Sequence, residues 1–145
     1  MANEQDHIEC ANRTQKTIQH LLIDPATHSP WIATIAFYKA LHVVEAVFAN
    51  SGVHTSNHGE RELKLKSERK YQKLAEHYLP LQRAGWNARY LAEQGAFDSY
   101  LSPEEVIEKL LKHELHQLEK SAKKFLKKPD ALLSVNSAFA SEPSP

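Results

Sequence analysis

Five side chains able to do chemistry fall within twenty positions: His42, Glu45, His54, His58 and Arg61. His42 and Glu45 are three apart, so on a helix the carboxylate can orient or charge the imidazole. His54 and His58 are four apart, and Arg61 follows by one helical turn. An antiparallel hairpin closing near Asn50 would bring all five together. Two chemistries fit such a cluster. Arg61 can hold a phosphate while His54 or His58 moves a proton, with Glu45 orienting His42. Alternatively, His42, His54 and His58 can act as metal ligands, as in a metal-dependent enzyme. Their spacing matches no strong zinc signature, so neither a metal nor a cofactor is expected. A structural reading stands beside both: the polar groups face solvent or satisfy one another in the core. Arg13 and His20 in the first helix read as an exposed polar face, and Cys10 reads as packing.

The element that must position these groups is a central helix from Trp31 to Asn50. Ser29 can cap it, with Pro30 at its first position and Asn50-Ser51-Gly52 at its end. At about 100° per residue, Thr34, Tyr38, His42 and Glu45 share one narrow edge, with Lys39 just outside it. The rest of the circumference is apolar, which requires packing on several sides. A first helix is expected from Glu4 to Leu22, with Ile8, Ala11, Ile18 and Leu22 on one face and Asp24-Pro25 closing it. A third is expected from Asn57 to Leu79. It starts at a capping box formed with Glu60, buries Leu63, Tyr71, Leu74 and Tyr78, and ends at Pro80. Arg83-Ala84-Gly85 reads as a loop, followed by a short helix from Trp86 to Leu91. The last helix starts at Ser102-Pro103-Glu104-Glu105. Its core face is Val106, Leu110, Leu111, Leu115, Leu118, Ala122 and Phe125. Five lysines crowd its end, where the helix dipole favours positive charge. These elements make one all-α domain, a four- to five-helix up-and-down bundle over residues 1–128, with a loosely ordered tail over 129–145.

Composition narrows the classes. The chain has 145 residues, 41% of them apolar, which is enough for one core without staples. Lys+Arg and Asp+Glu are both 18, so no global charge draws the chain to nucleic acid or an anionic membrane. One cysteine excludes an internal disulfide and points to a reducing compartment. The N-terminus lacks a signal-peptide layout. Lys39, His42 and Glu45 interrupt the longest apolar run, which argues against a membrane span. The expectation is a cytoplasmic protein without a membrane partner.

The run Phe37-Tyr38-Lys39-Ala40-Leu41-His42-Val43-Val44-Glu45-Ala46, then His54, His58 and Arg61, then Tyr71, Leu74 and Tyr78, and finally Asn87-Ala88-Arg89-Tyr90, resembles a HEPN-type domain. The resemblance covers about Trp31 to Leu91. It implies an all-α bundle, often a symmetric homodimer. It also implies binding of RNA or a nucleotide, and in many relatives metal-independent ribonuclease activity in toxin–antitoxin or other defence systems. On this reading His42, Glu45, His54, His58 and Arg61 are catalytic, and Tyr38, Arg61, Arg89 and Tyr90 bind substrate. Alanine at His58 or Arg61 is then expected to remove activity without changing the melt. The catalytic relatives usually carry an Arg-x4-6-His motif at the start of a late helix, and this chain has none there. The rival expectation is a non-enzymatic module that binds a protein partner, antitoxin- or adaptor-like, through an exposed apolar face on the first or last helix.

Overall fold

Asn3 opens the first helix through a reciprocal capping box with Asp6. The computed structural model describes residues 2–139. Helix α1 (Glu4–Leu21) buries Ile8, Ala11, Gln15 and Ile18 on one face. The next helix, α2 (Pro25–Asn50), starts earlier than the Ser29-Pro30 pair predicts, because Asp24 accepts from Thr27 N–H and Pro25 takes the first position. Pro30 lies inside α2, so the carbonyl of Ala26 has no N–H from it to accept. Ser29 is buried and donates to Asp98 Oδ1 at 3.0 Å instead of capping.

By length and composition α2 could cross a bilayer, contrary to expectation, but 72% of its apolar window is buried by the rest of the fold. It packs on α1, on α4 (Gln72–Glu93) and on the last helix.

Helix α3 (His58–Ser67) starts at Asn57, whose side chain accepts from Glu60 N–H, but the expected capping box is not closed, because the Glu60 carboxylate accepts from Ser56 instead. It does not continue to Leu79: the backbone turns extended at Glu68, and a 3-10 turn (Arg69–Tyr71) leads into α4. Leu65, not Leu63, fills the core from α3, and Leu63 is 70% exposed. Pro80 and Gly85, which read as breaks, both lie within α4. Leu74, Ala75, Tyr78, Leu81, Ala84 and Ala88 keep helical spacing through them and are buried. That burial offsets the roughly 3 kcal/mol of an internal proline, at about 25 cal/mol for each Å² of apolar surface covered. Gly85 has a packing reason, since a Cβ there would lie 2.8 Å from Phe37 Cβ. The missing side chain lets α4 approach α2.

A short helix α5 (Phe97–Tyr100) precedes the last helical run. That run opens with α6 (Pro103–Glu105), whose capping box uses Ser102 and Glu105 as predicted. It continues with π-helical winding over Val106–Leu115 and ends as α7 (His116–Ala122). Its expected core face is buried from Val106 to Ala122, while Phe125 is only partly so. The fold is all-α, with no strand among the described residues.

The expected loose tail is instead a packed strap over residues 129–139. Leu132 and Val135 are buried, and short 3-10 turns form at Pro129–Ala131 and Val135–Phe139. Asn12 of α1 holds it at both Ala131 O (2.9 Å) and Leu133 N–H (2.8 Å). Beneath it Lys39 is fully buried. Its ammonium donates to Gln15 Oε1 (2.7 Å) and Leu133 O (2.8 Å) and pairs with Glu119 Oε2 (2.6 Å). Glu119 Oε1 in turn accepts from Val135 N–H at 2.9 Å. Burial pushes the Lys39 ammonium down and the Glu119 carboxyl up from their ordinary pKa values, each opposed by its partner's charge. Residues 140–145 of the expected tail lie outside the described residues.

Candidate functional site

The α2–α3 connection folds back onto α2 as the hairpin argument requires. Glu45 and Arg61 form a buried ion pair, Arg61 Nε to Glu45 Oε1 at 2.7 Å. Thr55 also donates to that oxygen. Arg61 Nη1 donates to His58 Nδ1 at 3.1 Å and to Tyr78 Oη at 3.4 Å. Nη2 has no partner among the described residues, and Arg61 lines a cleft of about 480 Å³. The cleft is completed by Ala2, His7, Leu41, Glu45, His54, Thr55 and Ser56.

Glu45, His54 and Arg61 therefore meet, as the spacing predicted. Glu45 does not orient His42, however; it is committed to Arg61 and Thr55. His42 faces His7 of α1 instead, Nδ1 to Nδ1 at 3.2 Å. His58 is not free as an acid or base at Nδ1, because a guanidinium can only donate and Nδ1 must accept. Its remaining proton sits on Nε2. Burial, then Arg61, then Arg89 hold His58 below the ordinary imidazole pKa.

His7 is a cleft residue that the sequence reading does not single out. The available signal is its position four before Ala11 and eleven before Ile18, on the face of α1 that packs on α2. Burial lowers the pKa of both His7 and His42 from 6.5. For His7, Glu45 and Asp6 oppose the shift, while His54 and Arg61 add to it. For His42, His7, Arg61 and Arg13 add to it and Glu45 opposes it. Both rings are therefore neutral at pH 7, which suits a proton acceptor. There is a stability consequence. In the unfolded chain both imidazoles take protons near 6.5, whereas in the fold they resist. The unfolded state binds more protons around and below that pH, so stability falls as pH drops below about 7. The urea midpoint should track this decline, and His42→Gln should flatten it. A variant with the wild-type pH profile would refute the pairing as its source.

The expected substrate residues fall partly beside this cleft. Arg89 Nη1 donates to Tyr38 Oη at 3.5 Å, and its charge reaches His58. Tyr90 is 69% exposed and shares a shallow surface with Trp86, Arg89 and Glu93. Arg13 and His20 are exposed, as expected, and Cys10 is half-buried and accepts from Arg13 Nη2 at 3.3 Å. The trio His42, His54 and His58 does not assemble as metal ligands. Among the described residues, the group with ligand spacing is a different one, His77, His113 and Glu114. No family profile, curated protein or solved structure matches the chain.

Proposed function

We propose that the chain is a HEPN-like domain that binds RNA or a nucleotide at the His7–His54–Arg61 cleft. The carrying observation is the fixed Arg61, held at Nε and Nη1, which lines one cleft together with His7 and His54. A guanidinium positioned in this way recognises phosphate by charge-assisted hydrogen bonds. Arg89 extends the positive track past His58, and Tyr38, Trp86 and Tyr90 offer aromatic faces on which bases can stack. His7, neutral at pH 7, and His54 supply the acid–base pair that metal-independent RNA cleavage needs: one takes the proton of the attacking 2′-hydroxyl, the other protonates the leaving 5′-oxygen.

The test is anisotropy of a labelled single-stranded RNA, run beside ATP and GMP, with cleavage followed on gels in EDTA. His54 and Arg89 are exposed, so His54→Ala and Arg89→Ala leave the core intact. Binding should weaken about tenfold in each, which corresponds to the roughly 1.4 kcal/mol of one charge-assisted contact. Binding unchanged in both variants would sink the reading.

A second reading, a protein-interaction module, draws on Trp31 and Trp86, which are 62% and 56% exposed. They lie on α2 and α4 rather than on the first or last helix. Concentration-dependent dimerisation that is lost in Trp86→Ala, with no RNA binding, would favour it.

A further inference from the structure

We infer that His77, His113 and Glu114 form a zinc-type divalent metal site that ties α4 to the last helical run. His77 Nδ1 lies 3.0 Å from Glu114 Oε2, and His113 Nε2 lies 3.6 Å from Glu114 Oε1. One ligand atom from each residue lies within 4.8 Å of the other two. Tetrahedral coordination with bonds of about 2.0–2.1 Å places ligand atoms about 3.3 Å apart, and the two histidine separations of 3.0 and 3.6 Å bracket that value, each on a different oxygen of the Glu114 carboxylate. The imidazole rings stand edge to face, their planes at 85°. His113 is exposed, so its ring can turn to close on the other two ligands.

The donor set argues for the metal's class. Two imidazoles and one carboxylate suit Zn²⁺ and its transition-metal neighbours, whereas Ca²⁺ and Mg²⁺ take oxygen ligands. Three protein ligands leave a fourth position for water. The π-helical winding over Val106–Leu115 contributes to the arrangement. Bonding from i to i+5 turns the chain less per residue than an α-helix does. Consecutive residues then point in closer directions, so His113 and Glu114 can both reach one histidine on α4. The neighbouring His116 is engaged elsewhere, with its Nδ1 3.1 Å from Asn136 Nδ2. The cluster shares no residue with the Arg61 cleft and does not depend on the function proposed for it.

The experiment is titration of the untagged full chain with Zn²⁺ against a chromophoric chelator, together with thermal melts and the visible spectrum of the Co²⁺ form. One equivalent should bind at micromolar or lower concentration, raise the melting temperature, and give a four-coordinate Co²⁺ spectrum. Loss of even an outer-shell partner weakens metal binding about 10–100-fold, so His113→Ala, at an exposed position, should weaken it by about 100-fold or more. His77→Ala and Glu114→Gln should do the same. The double variant His42→Ala/His54→Ala should bind as wild type does, which separates this site from the other histidines. Absence of binding, or binding insensitive to His113→Ala, would overturn the site.

Discussion

Arg61→Ala should destabilise the protein by about 3–5 kcal/mol, the range measured when one partner of a buried ion pair is removed. The variant leaves the Glu45 carboxylate 4% exposed with only Thr55 as a side-chain donor. His58 Nδ1 and Tyr78 Oη lose their donor as well. Against a typical total of about 5–15 kcal/mol, such a loss is large enough to see directly in a urea titration. It reverses the expectation that an alanine here spares the melt. Removing both charges together, as in Arg61→Met/Glu45→Met, should cost much less than the single change, because no charge is left stranded. A single-variant loss below about 1 kcal/mol would mean that cleft water solvates Glu45 and the pair is not structural. Loss of RNA binding in an Arg61 variant is therefore uninformative on its own, whereas His54 and Arg89 isolate recognition from folding.

Lys39→Ala should be of similar size, about 3–5 kcal/mol, and should loosen one region in particular. It strands Glu119, which is 2% exposed, and removes the donor to Leu133 O and Gln15. Amides over residues 131–139 should lose hydrogen-exchange protection before those of α1 or α2 do. Lys39→Met/Glu119→Gln should recover most of the loss, since glutamine still accepts from Val135 N–H and methionine fills the space. Uniform deprotection across all helices would show that the strap is not held through Lys39.

The parts legible in the sequence are those written in local spacing. Asn57 and Ser102 announce helix starts through side chains that reach three residues on, and the stripe from Val106 to Ala122 follows helical periodicity. Hairpin proximity is enough to join Glu45 to Arg61. What fails is local inference from residues whose role is set by distant partners. Gly85 resembles a loop marker, but its reason is Phe37, far away in sequence. Pro30 and Pro80 resemble stops, but tertiary burial carries the helices through them. Lys39 reads as the margin of a polar edge because Gln15, Glu119 and Leu133 cannot be seen as its neighbours from sequence. His7 and the strap escape notice for the same reason. The carboxylate three residues after His42 is the natural partner by spacing, yet Arg61 outcompetes a neutral imidazole for it.

The Lys39 anchor also bears on how the chain is made. Domains acquire structure as they emerge, N-terminal portions first. When α1 and α2 leave the ribosome, the lysine at the middle of their interface has only Gln15 to meet it. Its acidic counterpart and the carbonyl of Leu133 follow some eighty and ninety residues later. Until then the α1–α2 hairpin carries a charge that opposes its own closure. Nascent chains stalled before residue 119 should therefore hold α1 and α2 loosely, and those extended past residue 135 should resist protease abruptly. The strap acts as a completion signal, a later-synthesised segment whose docking makes the earlier-synthesised interface permanent.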